Sequence, residues 1–188
     1  MMKIFGIGMP KTGTSTLNRA LQHLGYRSFH YAGDPITAQQ VRRGDYRLKI
    51  LDQFDGLTDI PVPAIYAQLD EMYPDSKFIL TVRDMEGWLD SCGHALFNQP
   101  EAVPEDGSIR EFYRTLLYGC KVFNKSRFEW VHKTHVETVK RYFSGDNNSQ
   151  LLIMDIAGGD QWDPLCRFLN KPVPPIDFPL ENARRLSP

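Results

Sequence analysis

Cysteine is scarce in this chain of 188 residues, and the three present, Cys92, Cys120 and Cys166, are far apart, odd in number and without C-x-x-C spacing. That argues against a disulfide framework or a zinc site and makes a reducing cytoplasm the expected setting. No apolar run approaches the length needed to cross a bilayer. The early sequence, one lysine followed by glycines and Pro10, lacks the apolar core of a secretory signal. An excess of one charge is missing too. Lys and Arg number 22 against 23 Asp and Glu, a formal net charge of −1, so the balance points to neither a nucleic-acid polymer nor a membrane. There is no repeat, no low-complexity tract and no linker. With 41% hydrophobic residues, the chain reads as a single domain over 1–188 with a sizeable core.

What is present is an alternation of apolar strands and amphipathic helices. "KIFGIG" (Lys3 to Gly8) is a short apolar run ending in glycine, as a buried strand feeding a loop should be. Leu17, Leu21 and Leu24 then fall at helical spacing, and Gly25 supplies a stop. "KFILTV" (Lys77 to Val82) and "QLLIMDI" (Gln150 to Ile156) are nearly continuous in β-formers, the mark of strands covered on both faces. Helical patterns occupy Ala64 to Tyr73, Met85 to Phe97, Ile109 to Phe123, Val131 to Phe143 and Trp162 to Leu169. This order predicts an α/β fold, a three-layer α/β/α arrangement on a central parallel sheet. Ligands of such sheets bind beyond the carboxyl ends of the strands. Asp34 to Phe54 and Asn98 to Ser108 read as lid or mobile segments.

The first turn, "GIGMPKTGTSTL" (Gly6 to Leu17), resembles a phosphate-binding loop with a displaced lysine. In G-x-x-x-x-G-K-[ST] the lysine follows the second glycine. Gly8 and Gly13 keep that separation, but Thr14 stands in the lysine position and Lys11 lies inside the loop. A strand turning through glycine into a helix gathers backbone N–H groups at the positive end of the helix, a site for anionic oxygens. Gly13 permits close approach, while Thr12, Thr14, Ser15 and Thr16 add hydroxyls. The plainer alternative is a capped αβ turn.

"PKTGTSTL" resembles the 5′-phosphosulfate loop of the sulfotransferases that use 3′-phosphoadenosine 5′-phosphosulfate (PAPS). "RDMEGWLDS" (Arg83 to Ser91) resembles that family's 3′-phosphate motif, an arginine ending a strand with a serine eight residues later. The similarity continues through "YPDSKFILTVRD", "LLIMDIAGGDQWDPLCRFLNKPVP" and "FPLEN", segments like those of a small sulfotransferase-like branch, and runs nearly the length of the chain. It implies a P-loop nucleotide-binding type of fold. It also implies in-line transfer of sulfonate from PAPS to a hydroxyl or amine, with no metal required. Lys11, Thr12, Gly13, Thr14, Ser15 and Thr16 would hold the 5′ end, with Lys11 at the transfer point. Arg83 and Ser91 would grip the 3′-phosphate, for which a guanidinium fork is suited. Asp84 can cap the next helix, and Trp88 shares a helical face with Ser91.

The same resemblance places the acceptor's base at the end of the strand in "LTDIP", which gives Asp59. Many cytosolic members carry histidine there and a lysine where Leu57 stands, so this chain departs from them twice. The bland alternative for Asp59 is a turn or N-cap residue. His30 competes for the role of base. His132 and His135, three apart on a predicted helix, lack a third metal ligand at recognised spacing. A nucleotide-dependent kinase or phosphohydrolase is the rival reading, with Asp155 after "LLIM" as its magnesium-holding aspartate. Against it, Asp155 also suits a turn residue. A catalytically inert nucleotide binder is a third reading. The acceptor, a small molecule or glycan, is not specified. Phe112, Tyr113, Tyr118, Phe123, Phe128 and Trp130 are pocket or core, and Arg110, Arg114 and Lys121 are an acidic-acceptor site or a solvated face.

Overall fold

The computed structural model describes residues 2–93 and 103–181. Five strands form one all-parallel sheet: β1 (Ile4–Gly6), β2 (Ser28–His30), β3 (Gly56–Thr58), β4 (Lys77–Thr81) and β5 (Leu151–Met154), in the spatial order β2-β3-β1-β4-β5. Register pairs Phe5 with Leu57 on one side and with Phe78 on the other. The chain therefore builds toward one edge through β2 and β3, then returns past β1 to build the other edge. In open α/β sheets that change of direction marks the ligand crevice.

Side chains alternate between the two faces, as strand geometry requires. Ile4, Ile79 and Met154 pack beneath α1 (Thr14–His23) and the last helix, meeting Leu17, Leu21 and Leu165. Phe5, Phe78 and Leu80 face the other way, toward α3 (Val62–Met72) and the long helix that ends near Phe143. Two apolar layers with a sheet between them make the three-layer fold that the alternation predicts. A third cluster, built on Met9, Trp88, Tyr118 and Phe128, closes over the strand ends.

Two regions were not foreseen. β2 is three residues long, and Asp34 to Phe54, read from sequence as a lid, is instead folded onto the core. It holds α2 (Pro35–Arg42) and a 3-10 turn over Lys49–Asp52, with Val41, Leu48 and Leu51 buried. Asp34 Oδ1 accepts from Thr37 N at 2.9 Å and Pro35 opens the helix. That cap and proline were visible in the sequence.

The later helices are α4 (Met85–Cys92), α5 (Ile109–Tyr118), α6 (Lys125–Tyr142) and α7 (Trp162–Leu169). The predicted Ile109 to Phe123 helix stops early because Gly119, at φ 70°, takes a left-handed C-cap. Asn124 then caps α6 by accepting from Arg127 N at 2.9 Å. The predicted stretches 94–97 and 98–102 lie outside the described residues, as does Asn182. Among the described residues no helix is long and apolar enough to cross a membrane.

Candidate active site

Because all five strands are parallel, the carboxyl ends of β1, β3 and β4 open on one edge. Those ends carry the loop, Asp59 and Arg83. Gly8 passes so close to β4 that a Cβ there would stand 1.9 Å from Thr81 Oγ1 and 2.6 Å from the Thr81 carbonyl. The Thr12 hydroxyl donates to Met9 O at 2.7 Å and lies 2.6 Å from Thr81 Oγ1, buried. Thr12 therefore binds the loop to β4. Lys11 (φ 73°) and Gly13 (φ 98°) both take the left-handed conformation, which turns the chain sharply into α1.

The start of α1 is uncapped. Gly13 supplies no side chain, the first turn holds no acidic residue, and the first intrahelical bond is Leu17 N to Gly13 O at 2.9 Å. The amides of Thr14, Ser15 and Thr16 thus have no intrahelical acceptor, and the positive end of the helix is open for an anion. Half-buried Lys11 makes no ion pair among the described residues. The Thr16 hydroxyl turns elsewhere: it accepts from Glu181 N at 3.1 Å and donates to Glu181 O at 3.4 Å, tying a distant segment to the first turn.

Arg83 follows β4. Its Nη1 donates to Lys11 O at 3.4 Å, and its Nε is buried with no hydrogen-bond partner among the described residues. A buried guanidinium N–H without an acceptor is costly, so its natural complement is an oxygen that a ligand brings. Asp84 caps α4, accepting from Gly87 N at 2.7 Å. Fully buried Trp88 donates Nε1–H to Pro10 O at 2.8 Å, so α4 grips the loop, and Ser91 lies half-buried one turn further on. Buried Cys92 stands near Lys11 and Arg83, yet burial still pushes its thiol up to about 12.

Asp59 follows β3 at φ 69° and is 9% exposed. Its Oδ1 accepts from Ile60 N at 2.7 Å and its Oδ2 from the Thr14 hydroxyl at 2.7 Å, which joins it directly to the first turn of α1. His30, at the end of β2, completes the cluster. Its Nε2 is 3.1 Å from Ser15 Oγ and 3.6 Å from Asp59 Oδ2, while Nδ1 is 3.0 Å from Thr58 Oγ1. Of the predicted site residues, Thr14, Ser15 and Asp59 therefore share one network. Lys11 and Arg83 meet through a main-chain carbonyl.

Two further histidines, His132 and His135, lie on α6, and His135 reaches the loop. His135 Nε2 is 2.7 Å from Ile7 O, and burial lowers the pKa of the ring. The His132 ring packs at a tilt against Trp88, with centroids 4.5 Å apart, and burial lowers its pKa to about 4. Among the described residues no three His, Cys, Asp or Glu side chains are grouped to hold a metal. Asp155 belongs to a turn: its Oδ1 accepts from Gly158 N at 2.8 Å, and its own N–H donates to Asp160 Oδ2 at 2.7 Å. Tyr113, Tyr118 and Phe128 are core, whereas Trp130 is exposed beside a groove of about 250 Å³ between α3, α5 and α6. Lys121 is paired with Asp106 and Glu111 at the surface, whereas Arg114 is buried on α5 and its Nη1 donates to Lys121 O at 3.3 Å.

This fold and this loop define an α/β domain with an anion-binding turn at the carboxyl edge of its parallel sheet. The chain belongs to the sulfotransferase family, for a family profile described as a sulfotransferase domain matches residues 3–186. It is 24% identical over 212 residues to Ava biosynthesis cluster protein M of Aspergillus versicolor, a match covering 95% of this chain and 80% of that protein. The crystal structure of a sulfotransferase from Alicyclobacillus acidocaldarius superposes with a TM-score of 0.58 at 17% identity. That match covers 94% of this chain and 84% of the other, a likeness of fold alone.

Proposed function

We propose that the protein transfers the sulfonate of PAPS to a hydroxyl or amine of a small-molecule or glycan acceptor. The carrying observation is one edge of the sheet with complements for two anionic groups. One is the uncapped start of α1 beside Lys11, and the other is the unpartnered Nε of Arg83. Those residues fit a nucleotide with phosphate at both its 5′ and 3′ positions.

PAPS supplies the sulfonate, whose sulfur bonds to the acceptor atom as its bond to the bridging phosphate oxygen breaks. The chain's residues position the reactants and stabilise the charge that develops. Lys11 offers a cation to the departing oxygen. The amides of Thr14 and Ser15 hold the 5′-phosphate, and Arg83 with Ser91 holds the 3′-phosphate. Asp59 accepts the acceptor's proton on Oδ2. That oxygen also accepts the Thr14 hydroxyl, so the base and the loop are built as one unit.

Titration calorimetry with adenosine 3′,5′-bisphosphate, without magnesium, is the direct test, and saturable binding is expected. Transfer of labelled sulfonate from PAPS to an acceptor library should follow, and Asp59→Asn should abolish transfer while binding persists. A protein that binds neither nucleotide would sink the assignment.

A further inference from the structure

Two peptide carbonyls of the loop are held by ring N–H groups from helices outside it. Ile7 O lies 2.7 Å from His135 Nε2 on α6, and Pro10 O accepts from Trp88 Nε1 at 2.8 Å on α4. A carbonyl can only accept, so the His135 ring carries a proton on Nε2 and donates it to Ile7 O. In a trans peptide the C=O and the following N–H point in opposite directions. Fixing Ile7 O toward α6 therefore aims Gly8 N–H away from α6, and fixing Pro10 O toward α4 does the same for Lys11 N–H. Gly8 is where no Cβ fits. The His135 ring is itself set edge-on to Tyr66, with centroids 5.9 Å apart at 80°.

We infer that His135 is a positioning residue of the 5′-anion site: it holds the Ile7 peptide so that the loop presents N–H groups, and not carbonyl oxygens, to the ligand. The inference rests on the nucleotide reading above. It adds a role for a side chain that touches neither substrate nor nucleotide. Without the His135 donor, the Ile7–Gly8 peptide is free to rotate and bring an electronegative oxygen toward the 5′-phosphate. Affinity should fall for that end of the nucleotide and not for the other.

Calorimetry with two probes separates this from a general loss of structure. For His135→Leu, affinity for adenosine 3′,5′-bisphosphate should fall roughly tenfold, the effect of about one directed hydrogen bond. Affinity for adenosine 3′-monophosphate, which lacks the 5′ group, should be unchanged. His135→Gln keeps an N–H donor and should recover most of the lost affinity. If the leucine variant does not fold, His135→Asn, polar but too short to reach Ile7 O, carries the same expectation. Unchanged bisphosphate affinity, or equal losses for both probes, would overturn the inference while leaving the nucleotide reading intact. A wild-type protein that binds neither probe would overturn both.

Discussion

Asp59 occupies a left-handed backbone conformation that few side-chain-bearing residues adopt. Strain of this kind gathers at functional positions, where the surroundings hold it in place. Here the holding groups are the Ile60 amide and the Thr14 hydroxyl, one on each carboxylate oxygen. Asn at this position keeps an oxygen for the amide and offers an N–H to the hydroxyl, which is why Asp59→Asn should fold. Lys11 differs, having no ion pair to break among the described residues. Lys11→Ala should lower the transfer rate by about a hundredfold or more while weakening bisphosphate binding far less, because in the proposed mechanism its charge acts chiefly on the departing oxygen. Single-turnover rates set beside calorimetric affinities check this. Gly8→Ala should destabilise the fold by roughly 1–3 kcal/mol in urea unfolding, since the methyl collides with Thr81, including its backbone.

At the scale of elements, α6 is the least expected contributor. The sequence shows that His132 and His135 share a helical face, but no local signal says that this face lies against Ile7 and Trp88. Only the three-dimensional packing of α6 supplies that. Burial of His132 has a sign that can be measured. The folded ring protonates near 4 and the unfolded one near 6.5, so the unfolded chain binds more protons between these values. Stability is complete above 6.5 and is lost as the pH falls through that window. The loss should reach on the order of 2–3 kcal/mol in urea titrations between pH 7 and 4.5, and His132→Phe should remove part of it. β1, β4, β5 and α7 were legible because their apolar runs and periodicities are strong. β2 was not, because three residues, one of them exposed, carry no alternation to read. The α2 signal, Asp-Pro at a helix start, was present but outweighed by the polar residues around it.

For the molecule as a whole, function depends on sheet order. Asp59, Arg83 and the loop are separated by tens of residues and adjacent only because β3 and β4 flank β1. The motif pair around Lys11 and Arg83 pointed from sequence to the loop side of the candidate site, and the two meet through Lys11 O. The His30–Ser15 and Thr14–Asp59 contacts were not readable, because they depend on the relative placement of β2, β3 and α1. A ligand that bridges these strand ends should stabilise the entire domain cooperatively. At a hundred times its Kd, adenosine 3′,5′-bisphosphate should add about 2.7 kcal/mol and raise the melting midpoint by roughly 5–10 °C with no magnesium present, as scanning calorimetry would show.

The Thr14 hydroxyl has a single proton to give, and Asp59 receives it. An occupant of the loop that claims this donor frees an acceptor position on Oδ2, so the proposed base is better placed for the second reactant once the first has docked. Turnover should then display compulsory sequence, with the nucleotide entering before the acceptor, and product-inhibition patterns that instead fit random entry would contradict it.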